Sequence, residues 1–145
     1  MLTNINLKQV LDDALARGVT ILGLGAIALI HLLQVPDAFG EIGYLGALFI
    51  AAAVACVLLA AALTRSSDDR VWMCAGGLAA LIFIGYLLSR SVGLPGWTGD
   101  VGEWDSVRGL ASMVVEPLVF CVSAATLATR HEWRERGVAP RPVVG

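Results

Sequence analysis

Three ionisable side chains of this 145-residue chain fall inside or at the edge of long apolar runs: His31, Arg90 and Glu116. Such groups are expensive at membrane depth and usually mark function. Glu116 is the deepest. A helix starting near Gly109 places it about 10 Å below the boundary, at about 1.5 Å per residue. A lone carboxylate there must take up a proton or find a partner. Ser112 and Ser123 share its helical face. Pro117 follows directly and leaves the Met113 carbonyl without its helical donor, which favours a kink. Tyr86 lies one turn before Arg90, and Gln34 lies three residues after His31 on the same side. Glu41 and Trp104 belong to the same end of the molecule.

Three chemistries fit this layer. In the plainest, Arg90 and Glu116 form an ion pair, with His31, Gln34 and Tyr86 hydrogen-bonded around it to fix helix register. In the second, His31, Gln34, Glu41, Tyr86, Arg90, Trp104 and Glu116 bind a small ligand. A metal version of that site would use His31, Glu41 and Glu116 for zinc or copper, although this spacing is a weak signal. In the third, Glu116 relays protons or serves a quinone. No catalytic motif is present and no cofactor is indicated. Haem ligation by two histidines fails, because His131 lies at the opposite end from His31. Cys56, Cys74 and Cys121 form no CxxC pair and read as small apolar residues.

The elements that must position these groups are membrane helices. Hydrophobic residues make up 57% of the chain and charged residues only 15%, against about 25% charged in a soluble domain. Charge-free runs cover 18–36, 42–64 and 71–89, and a fourth run, 109–129, is broken only by Glu116. Each is long enough to span, since a spanning helix needs about 20 residues. The runs lack the alternation of barrel strands. The expected fold is therefore all-α: one integral membrane four-helix bundle over 1–145, with spans at 18–36, 42–64, 71–90 and 107–129. The first run is not expected to be a signal peptide, because 17 residues including Asp12 and Asp13 precede it.

The ends have patterns of their own. In "NLKQVLDDALARG", Leu7, Val10, Leu11, Ala14 and Leu15 recur on one helical face. Asn6 with Gln9 is a weak capping box. This predicts a short amphipathic helix over 1–17 lying on the membrane surface, or else docked on a partner. The tail, 130–145, is polar and begins as an extension of helix four. Small residues at Ala47, Ala51 and Ala55, at Gly76 and Ala80, and at Gly23 and Gly25 predict close helix packing or a homodimer face. The segment 91–106 has four glycines and one proline and is a loop. It would be either solvated, with Trp97 and Trp104 at the interface, or folded as a lid over the polar layer. Its acids do not match a calcium-loop spacing.

Several stretches resemble those of a group of small four-helix bacterial membrane proteins, common among actinobacteria. They are "HLLQVPDAFGEIGYLGALF" (31–49), "GYLLSRSVGLPG" (85–96), "GEWD" (102–105) and "SMVVE" (112–116). The resemblance implies His31, Tyr86, Arg90, Trp104 and Glu116 as shared positions, and it implies no activity. The expected role is a non-enzymatic accessory or structural subunit of a respiratory or transport complex, with the bilayer and other membrane subunits or further copies as partners. The competing expectation is a ligand- or metal-binding membrane protein. Nucleic acid is not expected, because the basic tail is short and close to the membrane.

Eight Lys and Arg residues fall on one side of this topology: Lys8, Arg17, Arg65, Arg70, Arg130, Arg134, Arg136 and Arg141. Arg90 and Arg108 fall on the other. The positive-inside rule then places both termini in the cytoplasm of a bacterial plasma membrane. A C-terminal epitope tag should accordingly stay unlabelled on intact cells and be labelled after permeabilisation. Labelling of intact cells would reverse the topology.

Overall fold

A computed structural model describes residues 2–135, with side chains from Leu7 onward. Four helices account for nearly all of it: α1 (Leu2–Glu41), α2 (Gly43–Arg65), α3 (Asp69–Ser91) and α4 (Val107–Glu135). Each is long and apolar enough to cross a membrane, with mean hydropathy between 1.9 and 2.6 over its most apolar stretch. The protein is a multi-pass membrane four-helix bundle. The helices stand in ring order, α1 beside α2 and α4, and α3 beside α4 and, more loosely, α2. The α1–α2 turn and the α3–α4 loop share one end, called here the loop end. The start of α1, the α2–α3 turn and the end of α4 share the other, the clamp end.

Two expectations about α1 change. The amphipathic stretch before Gly18 is helical but is not a separate surface helix, because α1 runs unbroken from Leu2. Polar bonds further along explain this. Asp13 pairs with both Arg17 and Arg130, and Arg17 donates to the carbonyls of Leu63 and Ser66. These bonds hold the stretch from Asp13 to Arg17 in line with the bundle. Leu7, Val10, Leu11 and Leu15 remain exposed on it. The helix also continues past Pro36 to Glu41, leaving only Ile42, in extended conformation, to turn the chain into α2. Asn6 falls inside α1 and not at a helix start, so the expected cap is not formed there, and the tail from Arg136 lies outside the described residues. α4 continues through Pro117 and ends at Glu135, beyond the expected span, as the tail reading requires.

The interior stripes follow a near-heptad spacing. On α1 the buried positions include Thr20, Leu24, Ile27, His31 and Ala38. On α4 they are Gly109, Ser112, Glu116, Val119, Ser123 and Arg130. Spacings of three, four and seven keep one seam facing the neighbouring helices, as in other helix bundles. His31 and Glu116 thus occupy seam positions, which is why both are buried. The apolar core surrounds Leu24, Ile27, Cys56, Leu63, Trp72 and Val119.

Small residues allow the closest approaches. A Cβ on Gly23 would stand 2.4 Å from Val119 Cγ2, and one on Gly76 would stand 3.0 Å from Ser123 Cβ. Gly46 lies equally close to the Phe39 ring. The expected Ala47-Ala51-Ala55 ridge does not pack in the seam: Ala47 and Ala51 are exposed and Ala55 half-buried. α2 instead buries Gly46, Ala53, Cys56 and Leu63. Gly25 likewise faces open space.

Gly23→Ala should therefore lower bundle stability by about 1–3 kcal/mol, the usual cost of overpacking. Val119 is fully buried and β-branched, so it cannot rotate away cheaply. Gly25→Ala should be near neutral. Unfolding midpoints in mixed micelles would check both, and Val119→Ala should recover part of the Gly23→Ala loss.

Candidate functional site

Near the loop end the four helices part around a cavity of about 600 Å³. His31, Gln34 and Glu41 of α1 line it, together with Tyr86 and Arg90 of α3 and Glu116 of α4. Six of the seven residues expected from the sequence thus converge. Trp104 does not line the cavity. It packs edge-on against the Tyr86 ring, with centroids 6.3 Å apart, and so backs its wall.

The interior of the cavity is set by α1 and α4. His31 is 6% exposed, and its Nδ1 lies 2.9 Å from the Ile27 carbonyl oxygen. A carbonyl only accepts, so Nδ1 carries the hydrogen and, in the neutral ring, Nε2 is an acceptor. The edge contact with Phe49, at 5.0 Å, fixes the ring. Glu116 is fully buried. Its Oε1 accepts from Ser112 Oγ at 2.6 Å, while its Oε2 has no hydrogen-bond partner. The expected sharing of a face by Ser112, Glu116 and Ser123 is correct, and all three are buried.

The expected Arg90–Glu116 ion pair does not form. Arg90 instead binds Asp100, with Nη1 2.9 Å from Oδ1 and 3.3 Å from the backbone oxygen. The local chain explains this choice. Pro95 and Gly96, at φ +78°, form the centre of a tight turn closed by Leu94 and Trp97, the type II pattern. The Gly102 amide then donates to the Arg90 carbonyl at 2.9 Å, and the Tyr44 hydroxyl donates to the Pro95 carbonyl at 2.7 Å. This folds the loop back over Arg90 and brings Asp100 to it. The guanidinium also lies over the Tyr86 ring, 5.3 Å from its centroid. Loop residues Leu94, Asp100 and Ser106 line the cavity, so the loop closes this end as a cover.

A second pair, Arg108 with Asp37 at 3.1 Å, lies at the cavity rim and is largely exposed. The sequence assigns Arg108 to this end but not its partner, because the pairing spans 71 residues of chain. Tyr86 presses its hydroxyl against Gly109, where a Cβ would come within 2.5 Å. That hydroxyl and Arg90 Nε are buried without hydrogen-bond partners.

The metal expectation is not met. Among the described residues no three His, Cys, Asp or Glu side chains converge as ion ligands, so His31, Glu41 and Glu116 do not form a coordination set. Cys56 is buried, and Cys74 and Cys121 are exposed.

The far end holds a polar cluster that the sequence analysis did not foresee. Arg130 pairs with Asp13 and with Asp69, the latter at 3.0 Å, and donates to the Ser67 carbonyl at 2.7 Å. Its guanidinium lies 5.4 Å from the centroid of the buried Trp72 ring. Arg134 adds a 2.7 Å contact to Asp69. The signal available in sequence was Asp13 on the polar face of α1, without any indication of which basic residue it would meet. His131, by contrast, is exposed beside Glu135, as an interfacial or solvated residue should be.

No protein-family model, curated protein or solved structure matches this chain. The site is therefore read from its own geometry. The Arg90–Asp100 contact makes a quantitative prediction. A double-mutant cycle of Arg90→Gln with Asp100→Asn should give a coupling energy of about 0.5–3 kcal/mol. The cycle of Arg90→Gln with Glu116→Gln should be near additive, and strong coupling there would restore the direct pair.

Proposed function

We propose that this protein is a non-enzymatic membrane protein that binds a small molecule in the cavity at its loop end, which the charge distribution turns toward the outside of a bacterial plasma membrane. The observation that carries this reading is the fully buried Glu116, whose Oε2 has no partner although its residue lines a cavity of about 600 Å³. Buried polar groups are normally hydrogen-bonded, and an orphan calls for an explanation. The Tyr86 hydroxyl and Arg90 Nε are orphaned in the same wall. Cavities of this size, mainly apolar with a few convergent polar groups, are the usual form of small-ligand sites.

Several features support the reading. The sequence stretches that resemble the actinobacterial four-helix group supply His31, Tyr86, Arg90 and Glu116, four of the cavity residues. The Arg90–Asp100 pair holds the loop cover in place without using Glu116. A ligand would be held by Glu116, His31 and Tyr86, with Gln34 and Glu41 also in the lining. The competing reading, an accessory subunit of a larger membrane complex, assigns the same polar layer to helix register alone.

The two readings separate on purification. Protein extracted into native-lipid discs should retain an organic molecule at about one per chain, detected by mass spectrometry after solvent extraction. Filling the cavity with Ala52→Phe should abolish that retention while leaving the fold intact. An empty wild-type protein that brings other membrane subunits with it in fixed ratio would establish the accessory role instead.

A further inference from the structure

Resting on that binding reading, we infer that the ligand is a lipophilic cation, a protonated amine or an onium centre on an apolar body, which enters from the bilayer between α2 and α3. Two independent observations carry this: where the cavity opens, and what charge it holds.

The cavity is not confined to the loop end. It extends down the α2–α3 seam, where Ala51, Ala52 and Ala55 face Leu81, Ile82 and Gly85. This is the loosest contact between neighbouring helices in the ring. Leu81 is 67% exposed, and Ala51 is exposed as well, so the apolar part of the cavity opens sideways on the surface that faces lipid. Two of these alanines, Ala51 and Ala55, belong to the ridge that the sequence assigned to packing. Their small side chains leave the space between α2 and α3 unfilled. A ligand with an apolar body can therefore move from the acyl region to the polar end without crossing water.

The charge of the polar end selects the head group. The acids lining the cavity are Asp37, Glu41, Asp100 and Glu116, and the arginines are Arg90 and Arg108. Arg90 is matched by Asp100 and Arg108 by Asp37. Among the described residues neither Glu41 nor Glu116 has a cation within ion-pair distance, and Glu41 feels the Arg90 charge only from further off. This excess of two carboxyl groups disfavours a phosphate-bearing lipid head and favours a positive one, whose charge would let the buried Glu116 give up its proton. Neutralising a buried acid with a ligand charge recovers interaction that water cannot supply there. The geometry provides further acceptors for an N–H donor. His31 Nε2 is an acceptor by tautomer, and the Tyr86 hydroxyl can accept as well as donate. Phe49 adds an aromatic wall beside His31.

The test uses two probes of nearly equal size and apolar surface but opposite charge, tetraphenylphosphonium and tetraphenylborate. Each is titrated calorimetrically into the full chain in discs of zwitterionic phosphatidylcholine, with empty discs as the blank. Tetraphenylphosphonium should bind at about one per chain, and tetraphenylborate should bind at least tenfold more weakly. Glu116→Gln should weaken the cation at least tenfold, and Glu41→Gln should weaken it severalfold. Ala51→Trp, which narrows the lateral opening, should slow its association. Equal binding of the two probes overturns the inference, as does unchanged cation affinity in Glu116→Gln. Should Glu116→Gln fail to fold, Glu41→Gln decides, and no effect there overturns the charge assignment. A wild-type protein that retains a native ligand but ignores the phosphonium overturns the cation class while leaving the binding reading standing. Loss of both overturns the two together.

Discussion

The guanidinium of Arg130 holds the bundle at one end, and the rest of the architecture depends on it. Through Asp13, Asp69 and the Ser67 carbonyl it joins α1, α4, the start of α3 and the turn before it. Arg17 adds bonds to the last carbonyls of α2 and the turn after it, satisfying acceptors that a helix end leaves unpaired. In lipid there is little hydrophobic drive to press helices together. Polar bonds at a helix end and close contacts at small residues must do that work. With α1, α3 and α4 held at the clamp end and at Gly23 and Gly76, the seam between α2 and α3 is the least closely packed of the ring. The cavity is the consequence.

The opposite end is organised by a different economy of charge. Each arginine there is satisfied locally, Arg90 by the loop and Arg108 by α1. That choice leaves Glu116 with a serine as its one side-chain partner. Had Arg90 reached Glu116, the polar layer would have been a closed register-fixing network of the kind known in other cores. Because the loop claims Arg90 first, the layer is a lined chamber instead. The glycines of that loop matter for this reason. Gly93 and Gly96 adopt positive φ, which L side chains rarely do, and without those turns Asp100 would not come back over the end of α3.

Much of this was legible in the residues. Four apolar runs with charges segregated between them prescribe four spans, because lipid admits only helices whose backbone bonds are satisfied internally. The convergence of His31, Gln34, Tyr86, Arg90 and Glu116 also followed from sequence, since the topology puts all of them in one half of the bundle. The continuity of α1 did not follow. An amphipathic pattern before an apolar run looks the same for a surface helix and for a spanning helix that projects beyond the membrane. The difference lies in Asp13 and Arg17 finding partners more than 45 residues away. The role of the α2 alanines was misread for a related reason. A small-residue ridge shows that close approach is possible, but the seam on α2 lies along Gly46, Ala53, Cys56 and Leu63 instead.

The sequence by itself determined the number of spans, their helical nature and the presence of a buried carboxylate within one of them. These are consequences of local hydropathy and helical period, which each segment carries alone. Only the tertiary structure decided which charge meets which: Arg90 with Asp100, Arg130 with Asp13 and Asp69, and Glu116 with Ser112 alone. Ion pairing at membrane depth is settled by a few ångströms of reach between elements far apart in the chain. That same reach leaves one carboxylate oxygen unpartnered in an open cavity, and composition cannot reveal it.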